Sequence, residues 1–414
     1  MWARLMFLLL AAAAVLGAPS PPSPSTLVVV SNGAQRSELS GWVRGLTDRF
    51  HHRVTVVDAQ SRKTSGVYLI EYGERLYDNL AIFAPNDVYT VSEIVKFVEL
   101  GGNVLVATSK PQKALRELAN RCGFDFDADD TVVNDDSHPL RIDFAGPAFG
   151  VVSRNAIGIV DHKPVAYRGI AQVRSQMSAS EMALVVLPGQ VSTYSSVPGE
   201  KSIESAGDEV VLISALQARN NARITITGSS ELFSDAFAAI PSCGNREFAL
   251  QLSAWTFGQR GQLRASNVHH HRVDRPGDKV PPKQYTVNDT VVYHVDIETF
   301  DGESNKWKPF VANDVQLEFV MMDPYIRLGL QASKSGHYTA TFTVPDIYGV
   351  YKFRVEYERH GLSTLSLSTI VPVHPKRHDE YERFIFAAYP YYTSVFSMMG
   401  GFLLFAIVYL HHKD

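Results

Sequence analysis

The sequence predicts an α/β doubly wound N-terminal domain, a β-sandwich domain behind it, and one C-terminal transmembrane helix. Three observations carry this. From Thr26 onward, short apolar runs bounded by turn residues alternate with segments of helical period. After Gly261 the period drops to two, apolar and polar side chains alternating strictly. From Tyr389 to Leu410 there is no Asp, Glu, Lys or Arg, and about 20 such residues cross a hydrocarbon layer as a helix.

The chain opens like a secretory signal peptide over residues 1–18. Arg4 charges the start, Leu5 to Val15 form an apolar run too short to span comfortably, and Gly17 and Ala18 suit cleavage. A Pro/Ser-rich leader follows. A signal at one end and a spanning helix at the other imply a single-pass type I protein with its bulk in the lumen.

Domain 26–262 begins with the runs LVVVSNG (27–33), RVTVVDA (53–59), NLAIFAP (79–85) and GNVLVATS (102–109), apolar as strands covered on both faces should be. Between and after them, Val91, Ile94, Val95 and Val98 recur at helical spacing before Gly101, and Leu115, Leu118, Ala119 and Cys122 before Gly123. Strand and helix in succession call for a mainly parallel sheet. Residues 182–189, 209–217 and 222–235 read as further strands, and Phe248, Leu252 and Trp255 mark a closing helix.

Domain 264–373 carries the period-two runs, such as Val291, Tyr293, Val295, Ile297 and Tyr351, Phe353, Val355, Tyr357. Gly, Pro, Asn and Asp turns between them indicate an antiparallel sandwich. A charged neck spans 374–390, the transmembrane helix 391–410 and a cytosolic tail 411–414. Pro390 stops any helix running straight through from the neck, and Tyr389, Tyr391 and Tyr392 suit the lipid interface.

The chemistry that an α/β domain invites is largely absent from the sequence. The first strand is followed by Ser31-Asn32-Gly33-Ala34 rather than a dinucleotide fingerprint, and there is no P-loop. No cofactor and no metal are expected. A net charge of −4 in 414 residues gives no footprint for nucleic acid. Cys122 sits on an apolar helical face, the position of a small core hydrophobe rather than an activated thiolate. Ser230 follows a strand without a nucleophile elbow. His269-His270-His271 and the acids from Asp127 to Asp136 read as solvated loops, because three consecutive histidines cannot share one ion and the acids lack calcium-loop spacing. Two cysteines, Cys122 and Cys243, make no disulfide framework.

Two features point outward. Asn288, in Asn288-Asp289-Thr290, heads the sole Asn-x-Ser/Thr of the chain; it reads as a glycan acceptor, or as a plain turn residue. Thr393, Ser397 and Gly401 recur every four residues in the anchor, and with Gly400 they place small side chains on one helical face where a partner helix can approach.

The segments LVVVSN, ISALQARNNARITITGSSELFSD, WKPFVANDVQLEFVMMDPYIR, YTATFTVPDIYGVYKFRVEY and HDEYERFIFAAYPYYTSVFSMMGGFLLFAIVYLH resemble the family of 48 kDa subunits of the eukaryotic oligosaccharyltransferase, whose yeast counterpart is the Wbp subunit. The resemblance covers essentially the whole mature chain. It implies a non-catalytic subunit of an endoplasmic reticulum membrane complex, which moves a preassembled oligosaccharide from dolichyl diphosphate to Asn, while the α/β layout of the first domain is itself amidotransferase-like. The implied partners are a polytopic catalytic subunit, ribophorin-type subunits and the small subunit of the defender-against-cell-death type. One departure is the tail, whose single Lys413 is misplaced for a dilysine retrieval signal. The competing expectation from the fold alone is a membrane-tethered luminal enzyme of amidotransferase or hydrolase type using Cys122 or Ser230. A receptor would fit the topology but has almost no tail with which to signal.

Overall fold

The computed structural model describes residues 23–412 apart from 60–66, 85–87, 138, 141–147, 152–156, 158, 160–162, 176–181, 200–202, 275–279 and 382–383. The signal-peptide reading at 1–18 and the last two residues of the tail lie outside them.

The first half is built on a nine-stranded sheet. Its spatial order runs Arg53–Asp58, Ser25–Val30, Asn79–Ile82, Asn103–Ala107, Arg223–Thr227, Val211–Gln217, Gln172–Arg174 and Phe124–Phe126, with Ala183–Pro188 also pairing Val211–Gln217. The first five are parallel and the remainder pair antiparallel. The sheet is therefore mixed, where sequence period suggested mainly parallel.

The parallel strands are apolar throughout because both faces are covered. Val28, Ala81, Leu105 and Ala107 join Trp42 and Leu46 of helix Ser40–Phe50 and Phe248 and Leu252 of helix Asn245–Thr256 in one cluster. Leu27, Leu80, Val104 and Val106 join Ile94 and Phe97 of helix Val91–Glu99 and Leu115 of helix Lys113–Arg121 in another. Helix Val91–Glu99 has both ends specified locally. Thr90 and Glu93 form a reciprocal capping box. At the other end Gly101, at φ +89°, lets its own N–H and that of Gly102 reach back to Val98 and Phe97.

The segment 222–235, expected as one strand, is a strand only to Thr227. Gly228 lies so close to Ile170 that a Cβ would stand 2.0 Å from its carbonyl oxygen. The chain then turns into a short 3-10 helix, Glu231–Phe233, and a helical turn, Asp235–Ala238, capped by Ser234.

The second half consists of two five-stranded sheets. Val291, Tyr293, Val295 and Ile297 of one share a core with Phe319, Tyr351, Phe353 and Val355 of the other. Phe319 stacks on Tyr351 with centroids 4.5 Å apart.

The histidine run is not a loop. It ends strand Arg260–Arg272, so alternation sends His270 inward, 3% exposed, to bond the Tyr285 hydroxyl at 2.8 Å and stack on Phe353. His269 and His271 stack on each other, and the row continues through His294 to His337, which bonds Asp296. Pairing with strand Thr290–Asp301 supplies the backbone order that three adjacent imidazoles could not reveal.

Arg223 ties the halves together. Its guanidinium donates to the carbonyls of Trp255, Arg260 and Gly261 at 2.6, 2.7 and 3.0 Å and lies over the Trp255 ring. The Trp255 indole N–H donates to Gly361 O, and Ser363 Oγ accepts from Leu263 N.

The last helix, Tyr389–His411, follows a 3-10 turn at Phe386–Ala388 and has Pro390 in its first turn, where a missing N–H costs nothing. From Phe386 to His411 it is long and apolar enough to cross a membrane, and none of it is buried.

Candidate functional site

The candidate nucleophiles are placed for packing. Cys122 closes helix Lys113–Arg121, is 3% exposed, and burial pushes its thiol up to about 12. A thiolate is thus unavailable near neutrality. Cys243 is buried in a separate small cluster, and both thiols are free. Ser229 Oγ accepts from Leu232 N at 3.3 Å, so the Gly228-Ser229-Ser230 segment is a hydroxyl-held turn.

A cleft of about 1770 Å³ opens beyond the carboxyl ends of strands Asn103–Ala107 and Arg223–Thr227, the usual ligand crevice of an open α/β sheet. Several of its polar side chains are paired with one another. Arg116 bonds Asp129, Arg168 bonds Glu231, and Asn120 donates to Asp125. Cys122 and Ser230 do not line it. These pairs were beyond sequence reasoning, since Arg168 and Glu231 are 63 residues apart and no short-range spacing marks them.

Of the acids between Asp127 and Asp136, Asp129, Asp130 and Asp136 are exposed, as a solvated loop requires, whereas Asp127 and Asp135 brace the structure. Asp127 accepts from Ser205 Oγ, and buried Asp135 from Ser137 N and Ser192 Oγ. Among the described residues no group of three or more His, Cys, Asp or Glu is arranged to hold a metal ion.

Asn288 is exposed and takes φ +66° in the turn before strand Thr290–Asp301. Asp289 beside it holds that turn by accepting from Thr286 N and pairing with Arg272. The Asn288 side chain therefore stands on a fixed, accessible corner.

In the anchor, Thr393 and Ser397 return their hydroxyl protons to the carbonyls of Tyr389 and Ser394 at 2.9 Å. Both hydroxyls are thereby satisfied within the helix, so these small side chains need no hydrogen-bonding partner outside it. Nothing stands within 4 Å of a Cβ added at Gly400 or Gly401.

Fold and sites together define a class: an α/β body and an all-β body preceding one apolar helix, with Cys122 buried as an un-ionised thiol. Comparison with known proteins narrows it. The chain matches the family descriptions "OST48, N-terminal domain" over residues 18–259 and "OST48 middle domain" over 269–413. It is 39% identical to the fruit fly (Drosophila melanogaster) "Dolichyl-diphosphooligosaccharide--protein glycosyltransferase 48 kDa subunit", across 100% of this chain and 97% of the relative. The subunits of the same name from Danio rerio and Arabidopsis thaliana are each 38% identical, over 94% and 86% of this chain and 92% and 86% of their own lengths. The chain belongs to this family of 48 kDa subunits.

Proposed function

We propose that the chain is a non-catalytic, assembly subunit of the oligosaccharyltransferase complex in the endoplasmic reticulum membrane. The complex would transfer a preassembled oligosaccharide from dolichyl diphosphate to Asn of Asn-x-Ser/Thr, with the bond-making groups on another chain. The observation that carries the reading is full-length similarity to relatives named as subunits of that transferase. The buried Cys122 and the turn-forming Ser229 and Ser230 support a non-catalytic role, and they weigh against the amidotransferase or hydrolase alternative.

In this reading the body, divided at 26–262 and 264–373, is luminal. Helices on both faces of the first sheet favour a doubly wound architecture, and the shared core of the two later sheets favours a sandwich. The anchor packs into the complex through Thr393, Ser397 and Gly401, against helices of the polytopic catalytic subunit, ribophorin-type subunits or the small defender-against-cell-death-type subunit. Purification of the tagged full chain in mild detergent is expected to bring these chains with it. Gly401→Leu should lower their recovery several-fold, and unchanged recovery would remove that face from the proposal. A solitary chain, or a luminal half that transfers sugar unaided, would end the reading.

Asn288 is expected to carry a glycan. Glycosidase treatment should then shift the wild-type chain on a gel, and Asn288→Gln should migrate with the deglycosylated form whether treated or not.

A further inference from the structure

Away from the cleft, the anchor and the glycan acceptor, one small element breaks three local rules at once. Strands Ile70–Glu71 and Glu74–Arg75 form a two-residue hairpin in register Ile70↔Arg75 and Glu71↔Glu74. Its tip is Tyr72-Gly73.

Both tip residues have positive φ, +50° for Tyr72 and +86° for Gly73. A tight hairpin turn of this hand favours Asn or Asp before Gly, and a bulky aromatic there is strained. The Tyr72 side chain gains nothing from the fold in return, for the residue is 99% exposed. Two carboxylates, Glu71 and Glu74, face each other directly across the strands, an unfavourable like-charge pairing. Both are exposed, and no ion pair engages either of them among the described residues.

The base of the hairpin is firm. Leu69 is buried in the sheet's core cluster, Leu76 N donates to Leu69 O, and Arg75 donates to Gly101 O at 2.9 Å. The tip is thus a strained, acidic, aromatic finger on a rigid mount. Local rules broken together without compensation among the described residues point to compensation outside the chain.

We infer that the Tyr72 hairpin is a docking anchor for a neighbouring protein subunit, whose surface offers an apolar slot rimmed by Arg or Lys. The charges choose the partner. A cation seated between Glu71 and Glu74 relieves their repulsion and can stack on the Tyr72 ring, while the slot buries the ring itself. Exposed Tyr68 and Leu76 beside the tip widen the apolar contact. Tyrosine is enriched among residues that dominate interface energy, because it buries a large rigid surface at small entropic cost. This inference rests on the assembly reading above and assigns one contact within it.

The test uses the full chain in its detergent-solubilised complex. Tyr72→Asn places a favoured residue at the turn, so the melting temperature of the isolated chain should stay level or rise. Retention of a luminal neighbour through a moderate-salt wash should nevertheless fall roughly tenfold. Glu71→Gln/Glu74→Gln should weaken retention and flatten its salt dependence. With p-benzoylphenylalanine in place of Tyr72, illumination should join the chain to a co-purifying subunit, within a few residues of an Arg or Lys. Full retention by both variants, or no cross-link to any co-purifying chain, would overturn the anchor while leaving the assembly reading intact. A wild-type chain that purifies alone would overturn both.

Discussion

Replacing Arg223 with Met is expected to lower the unfolding free energy of the chain by about 3–5 kcal/mol. The side chain is 1% exposed and has no carboxylate partner among the described residues. Its charge is held by oxygen dipoles: three backbone carbonyls, the Gln217 amide oxygen at 3.3 Å, and the carbonyl end of helix Asn245–Thr256 that Trp255 O belongs to. Burial lowers its pKa to about 9, still above neutrality, so the cation persists. Methionine fills much of the volume but leaves buried carbonyls without donors, each orphan costing about 1–3 kcal/mol when water cannot reach it. Arg223→Lys should fall between, because one ammonium cannot serve carbonyls that the planar fork bonds together. The carbonyls lie on both sides of the joint, so proteolysis between 257 and 262 should accelerate in step. Urea unfolding of the detergent-solubilised chain measures the first effect; an unshifted midpoint for Arg223→Met would show that water or repacking satisfies those oxygens.

That Arg223 would hold such a position could not be read from the sequence, and the reason is instructive. The apolar strands around it were legible because burial on two faces imposes composition directly, as Leu27 to Val30 and Val104 to Ala107 show. The period-two strands after Gly261 were legible for the same reason on one face. An arginine inside ARITIT looks like a strand-edge cation, and only the closing of helix against strand surrounds it with carbonyls. The antiparallel half of the first sheet was hidden because Phe124–Phe126 and Gln172–Arg174 are three residues long, too short for any period to register. His269 to His271 failed differently: residue type suggested solvent, while pairing with Thr290–Asp301 imposed alternation. The C-terminal helix needed no tertiary knowledge, since an uninterrupted apolar run marks it, and the common face of Thr393, Ser397 and Gly401 follows from helical spacing alone. The Tyr72 finger was invisible because Glu-Tyr-Gly-Glu lacks the Asn-Gly signature that marks such turns.

The same buried imidazoles make the chain acid-sensitive in a definite window. Burial pushes His52 and His270 down to about 4, from 6.5 in an unfolded chain. His52 accounts for one ring nitrogen with Thr26 Oγ1 at 2.7 Å, but its Nε2 is buried with no partner. The imidazolium would carry an N–H at that position with no acceptor among the described residues. His270 has Tyr285 on one side and Phe353 on the other, with His269 and His271 adding like charge. Between about pH 6.5 and 4 the unfolded state therefore binds more protons than the folded state, and stability falls as pH falls through that window. The loss begins near 6.5 and levels near 4, amounting to about 3 kcal/mol for each imidazole. His294, pushed down mainly by burial with His337 and its stacked neighbours adding, contributes in the same direction. Glu247 and Glu318, held below the usual carboxylate range chiefly by bonds from Arg49 and Arg354, lose their contribution only at lower pH. The first acid limb thus belongs to histidine. Urea midpoints measured from pH 7.5 to 4.5 should drop steeply for the wild-type chain. The drop should be shallower for His52→Gln and His270→Gln, and shallowest when both are replaced. Equal slopes in all four proteins would mean that other groups take up the protons.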